Sequence, residues 1–503
     1  KGKSAFELLD ALGPVGGIRG LLVMGSNVAV ASPDARRIHE RLKSLEMLVV
    51  CDSFLNETAE QAHVVLPVLQ WAEEGGTMTN FEGRVIRRRV VARAPNGPLS
   101  DLEILRELRF PHSLGLLYSA FTYFAGFRVN SGEYKVMGLA AYGKPKFVDF
   151  FREKVLTTNG RGDFKLNIRV LDHHLAKHYQ FPAEIVRELG PGRAKGEELS
   201  EHHWDIACSA QKALEETALY LVNKIHEMTG EENLCMAGGV AFNSVMNGRI
   251  FHETPFKRFF VQPAAGDAGC SLGAAYYVRH QILNQPRKFV MNHAYWGPGF
   301  TNDECRKTLD DLGLSYETLN DDVLLPRLAK MISEGAIIGW FNGRMELGPR
   351  ALGARSFLAD PRRADMREIL NHKVKLREWF RPLAPSMHEE NGTEVFGVEH
   401  HDPFMITVIK VAEDYEKKIP AVVHVDGTAR PQMVSRDTNP RYWNLINEFK
   451  KITGIPMLLN TSFNVQEPIV CTPHDAVNTF RNSNFDALVL ENNLLLREDQ
   501  TDK

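Results

Sequence analysis

Leu234-Cys235-Met236-Ala237-Gly238-Gly239 is followed, one helix later, by Phe260-Val261-Gln262-Pro263-Ala264-Ala265-Gly266-Asp267-Ala268-Gly269. Each stretch reads as a short apolar strand running into glycines. Two such units in succession give an α/β arrangement, in which ligands lie beyond the carboxyl ends of the strands. Glycines after a strand let the backbone approach a ligand, and free amides at the next helix start hold phosphate oxygens. A single Gly-Gly turn is commonly only a turn; it is the pair that points to a nucleotide. Asn243, just beyond Gly238 and Gly239, is a candidate ribose or phosphate contact, and Asp267 a candidate metal ligand. Upstream, Ile206, Ala210, Leu214, Leu221, Val222 and Ile225 recur on one face of a helix expected over about 204–228.

Outward from this centre the α/β character continues. Residues 20–30 (GLLVMGSNVAV) read as a buried strand entering a Gly-Ser-Asn turn, 34–45 as a helix and Met47 to Val50 as the next strand. This is a βαβ rhythm. A Pro/Gly loop spans Pro95 to Ser100, and the character changes near Phe110. A loop around Asn292–Gly299 precedes a last region where strands at 336–341, 404–411 and 487–490 mix with helices, an α+β sheet. No internal repeat or low-complexity tract is visible.

The chain has 503 residues, more than one ordinary core accommodates, so two or three domains are expected. A net charge of −3 argues against a general attraction to nucleic acid or anionic lipid. No signal peptide or bilayer-length apolar run is seen, and the six cysteines show no C-x-x-C spacing. The expectation is a cytoplasmic protein with no membrane or nucleic-acid partner. The chain opens on Lys1 rather than Met, which leaves room for an upstream segment.

Three stretches of the C-terminal half suit one small anion. They are Gly343-Arg344-Met345-Glu346-Leu347-Gly348-Pro349-Arg350, Lys375-Leu376-Arg377-Glu378-Trp379-Phe380-Arg381-Pro382, and Asn460-Thr461-Ser462-Phe463-Asn464. Arginine forks grip tetrahedral or planar anions bidentately, lysine adds a point charge, and short polar side chains complete the shell. These arginines sit among Gly, Pro, Trp and Phe rather than among polar residues, which favours a phosphate or acyl-phosphate pocket over a solvated face.

Together with Glu133-Tyr134-Lys135-Val136-Met137-Gly138-Leu139-Ala140-Ala141-Tyr142-Gly143, the Ala237–Gly248 and Pro263–Gly273 loops and Asp426-Gly427-Thr428-Ala429-Arg430-Pro431-Gln432, these motifs resemble the carbamoyltransferase family. Its members place a carbamoyl group on sugar hydroxyls of nodulation factors and antibiotics. The resemblance runs from about Phe110 to near the C-terminus; one departure is Ala354, where the family more usually has Asn. It implies a partial actin-like domain over 106–290 and a YrdC-like α/β domain over 291–503. Carbamoyl phosphate and ATP would give carbamoyl-adenylate, and the carbamoyl group would pass to a hydroxylated small-molecule acceptor. Lys375, Arg381, Arg350 and Arg430 would hold carbamoyl phosphate, with Asn460, Ser462 and Asn464 completing the pocket. Gly238, Gly239, Asn243, Glu133 and Lys135 would lie at the adenylate site, and Asp267 would ligate a divalent metal, expected to be Fe2+. A homodimer is a further expectation. A full family member would open with a lobe carrying an H-x-x-x-H histidine pair, so the actin-like domain is expected to lack a lobe and two metal ligands.

Residues 1–105 resemble a different family. Met24-Gly25-Ser26-Asn27, Asp52-Ser53-Phe54-Leu55-Asn56-Glu57-Thr58-Ala59 and Glu74-Gly75-Gly76-Thr77-Met78-Thr79-Asn80-Phe81-Glu82-Gly83-Arg84 are similar to turns of molybdopterin oxidoreductases of the nitrate reductase and formate dehydrogenase type. Such turns hold part of molybdopterin guanine dinucleotide. The iron–sulfur cysteine cluster and a molybdenum ligand are missing, so a working oxidoreductase and a bound molybdopterin are not expected. Two family patterns meeting near 105–110 suggest either a fusion of two incomplete genes or an assembly artefact. A molybdopterin-dinucleotide-binding fragment and a non-catalytic nucleotide-binding remnant remain alternatives to an active carbamoyltransferase.

Among lesser signals, His174 and His178 have the i, i+4 spacing of a metal pair, but three neighbouring histidines are more often a solvated helix end. His202 and His203 are expected to mark the start of the helix at 204. The Arg87-Arg88-Arg89 run reads as an exposed strand or turn.

Overall fold

The computed structural model describes residues 8–9, 11–13, 17–24, 28–31, 35–52, 56–67, 76–79, 85–88, 108 and 111–500, the last without 172–180 and 195. The turns at 25–27, 53–55 and 80–84, the Pro95–Ser100 loop and the His174/His178 pair lie outside the described residues. The chain divides into two compact units, Lys1–Ile104 and Leu105–Lys503.

In the first unit, β1 (Gly20–Met24), β2 (Met47–Asp52) and β3 (Val64–Pro67) form a parallel sheet, with Leu22 opposite Val49 and Val49 opposite Val64. Helix α1 (Ala35–Lys43) buries Ile38 and Leu42 with Val23, Leu48 and Val50. Residues 28–31, the last three positions of the stretch expected as strand and turn together with Ala31, are helical. Four small apolar residues carry no periodicity that separates the two states. Arg87 and Arg88 sit in β5 (Val85–Arg88), antiparallel to β4 (Gly76–Thr79).

The second unit begins with α2 (Leu114–Phe124), whose Ser113 hydroxyl caps the Leu116 amide at 3.3 Å, and α3 (Glu133–Ala140). The long α4 (Glu201–Thr229) runs from a capping box at Ser200 to Gly230, whose φ of 68° is the left-handed stop such helices use. The second residue of that box is His203, so the paired histidines lie in the first turn rather than ahead of it. Strands β6 (Asn233–Met236) and β7 (Arg258–Val261) pair in parallel, with Met236 opposite Val261. Their glycine turns are joined, because the Gly238 amide donates to the Ala265 carbonyl at 2.8 Å. Between them runs α5 (Ser244–Glu253).

The C-terminal part is built on an eight-stranded mixed sheet. Its strands are β8 (Glu317–Thr318), β9 (Ile338–Phe341), β10 (Arg355–Ala359), β11 (Ala384–His388), β12 (Gln432–Val434), β13 (Met457–Ser462), β14 (Ala487–Leu490) and β15 (Asn493–Leu496). The order across it is β8-β15-β14-β9-β10-β13-β11-β12. The central strands β9, β10 and β14 are buried at every position; β9 and β14 are continuous apolar runs, whereas β10 opens on the buried polar residues Arg355 and Ser356. Phe357, Phe463 and Phe485 lock the middle, with ring centroids 4.7 and 4.9 Å from Phe357. The expected strand at 404–411 shrinks to Ile409–Lys410. Upstream of it the Asp402 carboxylate takes the amides of Phe404, Ile406 and Thr407 at 2.8–2.9 Å, donors that a sheet would otherwise use. No helix among the described residues is long and apolar enough to cross a membrane.

That Asp402 loop docks on α5. Asn247 Nδ2 donates to the carbonyls of Ala241 and Ile406, both at 2.8 Å, and the Val408 amide donates to the Ser244 carbonyl at 3.0 Å. The approach is so close that a Cβ on Gly248 would run into the Val408 carbonyl. Gly248→Ala should therefore cost about 1–3 kcal/mol of unfolding free energy, measured by urea denaturation. An unchanged midpoint would mean that the two segments do not pack this closely.

Candidate active site

The anion stretches converge. Lys375 follows a helical segment, Ile369–Val374, and its side chain is buried. Its Nζ donates to the Ser462 carbonyl at 2.5 Å, the Asn464 carbonyl at 2.8 Å, Asn464 Oδ1 at 3.0 Å and Ser462 Oγ at 3.2 Å. Ser462 ends β13, so this corner fastens the lysine to the sheet across 87 positions of sequence. Leu376 has φ +46°, a left-handed backbone that costs a non-glycine residue about 1–2 kcal/mol. Its side chain is exposed, whereas Lys375 before it is buried and Arg377 after it half-buried.

Arginines surround this corner. Arg377 Nε donates to Asn371 Oδ1 at 2.6 Å. Arg381 lies 4.6 Å over the Tyr134 ring and 3.7 Å from Glu378, which also pairs with Lys135 at 2.6 Å. Arg350 reaches the Phe242 carbonyl at 3.4 Å. It follows Gly348, whose φ of +116° and tight packing against the Pro263 carbonyl press this loop on the second glycine turn. Arg430 follows the short strand Thr428–Ala429.

The charges act on one another. Burial, then Arg377 and Arg381, holds the Lys375 ammonium well below its ordinary pKa. Burial and the neighbouring Arg350 do the same to Arg430. Burial pushes Arg350 down to about 10 and, with Arg381 beside it, Arg377 down to about 9. Guanidiniums stay charged at neutral pH, so the downward shifts of Arg350, Arg377 and Arg430 express first the hydration lost on burial and then repulsion from neighbouring arginines. Asp402 opposes it for Arg350 and Arg430, but its carboxylate is already committed to loop amides and to the Thr407 hydroxyl. Two donors, Arg377 Nη2 and Arg430 Nε, are buried without an acceptor among the described residues. A buried donor left unpaired costs about 1–3 kcal/mol, and an oxyanion would satisfy both.

The other expected site residues divide. Asn460, two positions before Ser462, donates to the Ala351 carbonyl at 3.0 Å and to Ser386 Oγ at 2.8 Å, bracing the chain beside Arg350. Gly238, with φ +96°, and Gly239 both face open space. Asn243 caps α5 through the Met246 amide and exchanges hydrogen bonds with Gln211 at 2.9 and 3.0 Å, so both ends of its amide are engaged. Glu133 accepts from Ser119 Oγ and from the amides of Asn130 and Gly132 in the turn that leads into α3. Lys135 joins the arginine cluster through Glu378. Asp267 is exposed, and among the described residues no group of three or more His, Cys, Asp or Glu could hold a metal ion. The residues described here therefore do not fit a metal at Asp267. Arg377, Asn371 and Asp402 were not singled out by their sequence context. Arg377 at least lies inside a quoted cationic stretch; the roles of the other two exist only in the folded chain.

Three family models match the sequence: carbamoyltransferase N-terminus over residues 96–276, carbamoyltransferase C-terminus over 329–497 and molybdopterin oxidoreductase over 2–109. An uncharacterized protein of Synechocystis sp. is 43% identical over 423 residues, covering 78% of this chain and 68% of its own. Nodulation protein NolO of Bradyrhizobium diazoefficiens is 39% identical over 401 residues, covering 78% and 70%. Nodulation protein NolNO of Sinorhizobium fredii is 40% identical over 403 residues, covering 79% of this chain and 58% of its own.

The depressed Lys375 pKa has a consequence for stability. Between that value and the unfolded value of about 10.4, the unfolded chain holds a proton that the native chain releases. Stability of the ligand-free chain should rise with pH across this window. Lys375→Met should show a shallower rise in urea unfolding between pH 7 and pH 10; an identical slope would place the proton elsewhere.

Proposed function

The chain belongs to the carbamoyltransferase family, and we propose that its cationic pocket binds carbamoyl phosphate and the phosphates of ATP for carbamoyl-adenylate formation. The observation that carries this reading is the convergence of Lys375, Arg350, Arg377, Arg381 and Arg430, two of whose buried donors, Arg377 Nη2 and Arg430 Nε, lack acceptors among the described residues. Cations packed at this density, with Asp402 already engaged, suit a ligand bearing several negative charges. Attack on an acyl phosphate builds charge on several oxygens, and preorganised cations lower that barrier without a Ser-His-Asp triad. Water, carbamoyl phosphate and ATP would yield carbamoyl-adenylate, phosphate and pyrophosphate.

On this reading residues 291–503 form the YrdC-like adenylate-forming domain, and 106–290 a partial actin-like domain that passes the carbamoyl group to a sugar or natural-product hydroxyl. The open turns at Gly238 and Gly239 lie beyond parallel strands and leave room for a ligand. The chain spans 58% to 70% of the length of the relatives described above, so the acceptor and the transfer step are assigned by likeness to longer proteins. No step is assigned to a metal.

Carbamoyl phosphate-dependent release of pyrophosphate from ATP, without acceptor, tests the first half-reaction. Turnover is expected, and Lys375→Ala or Arg430→Ala should lower it at least about 10²-fold, as loss of a preorganised charge-stabilising group does elsewhere. Unchanged turnover in both variants would sink the site assignment.

A further inference from the structure

Strands β6 and β7 run parallel, and among the described residues no third strand joins them. Parallel strands are normally covered on both faces of their sheet. One face here is covered, because Leu234 shares a core with Met246 and Ile250 of α5 and with Leu214 and Val222 of α4. The other is bare. Cys235 lies opposite Phe260 in the register, and both are exposed.

The segment that follows is bare as well. Helix α6 (Cys270–Tyr277) continues through Val278–Ile282, and no residue of α6 is buried although its composition is apolar. A helix this short holds in water through packing of one face, not through propensity. Beyond it Leu283 is 59% and Val290 79% exposed. Aromatic contacts tie these pieces together: the Tyr276 ring lies 6.3 Å from Phe289, and Phe289 lies 5.4 Å from Trp296. The Gln262 amide meets the Met291 sulfur at 3.8 Å, so the surface continues from the end of β7. Single exposed apolar side chains are ordinary, whereas a contiguous apolar patch marks an interaction surface. Arg279, Arg287 and Lys288 are exposed in the same stretch, which suits a partner with acidic side chains at its edge.

The relatives point to the occupant. About a third of the length of the Synechocystis protein and of NolO lies outside the match with this chain. Their matched part corresponds to residues present here, and those leave the face bare. What covers it in the relatives therefore belongs to the rest of their length. We propose that the outer face of β6 and β7, with α6 and residues 282–290, is the docking surface for a polypeptide equivalent to that unmatched third. This rests on family membership and not on the anion-pocket reading, so either result of the pyrophosphate assay leaves it standing.

Two native thiols report on the face: Cys235 on the strand and Cys270 at the start of α6, both exposed. In the full chain alone both should react readily with iodoacetamide, each read by peptide mass mapping. The unmatched segment of the Synechocystis protein, expressed separately and added, should form a one-to-one complex by light scattering. It should slow alkylation of both cysteines at least about tenfold and protect the amides of 270–290 from hydrogen exchange. Val290→Asp changes a side chain the fold does not bury, yet it would place an unpaired charge in the interface and should weaken the complex at least about tenfold. No complex with a segment that is folded by circular dichroism, or a complex that leaves both cysteines reactive, overturns the proposal. If the segment does not fold alone, the intact Synechocystis protein decides: the stretch aligned with 270–290 should exchange slowly there, and fast exchange overturns the proposal. If both cysteines are already shielded in this chain by itself, a second copy or another part of the chain covers the face, and the proposal is equally wrong.

Discussion

Burial of mutually repelling cations is the constraint around which the second unit is organised. Burial holds Lys375, Arg350, Arg377 and Arg430 below their ordinary pKa values, and Arg381 adds repulsion to each of them. Such a cluster persists only if stiff surroundings hold it. Lys375 is held by four oxygens of Ser462 and Asn464, Arg377 by Asn371, and the chain next to Arg350 by Asn460. The mixed sheet with its locked phenylalanine core supplies the rigidity behind these anchors. The stability the cluster sacrifices is what an anionic ligand would restore, which links packing to binding in one physical term.

The pocket is also joined to the glycine turns of the middle region. Asp402 gathers the amides of a loop that docks on α5, while it moderates Arg350 and Arg430. Gly348 packs on the Pro263 carbonyl, and Arg350 reaches the Phe242 carbonyl. The two glycine turns are themselves bonded through Gly238 and Ala265. A ligand that draws on Arg350 would therefore act on a group already in contact with the nearer glycine turn.

The first unit stands apart in kind. Its parallel three-stranded sheet and its match to molybdopterin oxidoreductases belong to a different family from the rest of the chain. The family matches overlap over residues 96–109, and the compact units divide between Ile104 and Leu105. Two unrelated patterns thus meet within a short stretch of one chain.

Much of this was legible in order of residues alone, because strand–glycine turns, helical periodicity and cationic motifs are local signals. The helix at 201–229, the strands at 233–236, 258–261 and 487–490 and the convergence of Lys375 with Ser462 and Asn464 follow from them. Residues 404–408 misled because an apolar run reads as a strand unless a neighbouring carboxylate, here Asp402, takes its amides, and periodicity carries no sign of that competition. Asn243 reads from its position after the glycines as a ligand contact, and the structure also gives it the cap of α5, since a short polar side chain satisfies either demand. The sequence by itself determined which cations and turns exist and the family they belong to. Only the tertiary structure decided which arginines lie near one another, which donors are left unpaired among the described residues, that Asn371 holds Arg377 and that the Asp402 charge offsets Arg350 and Arg430, because burial and mutual repulsion are properties of distance in space, not of spacing along the chain.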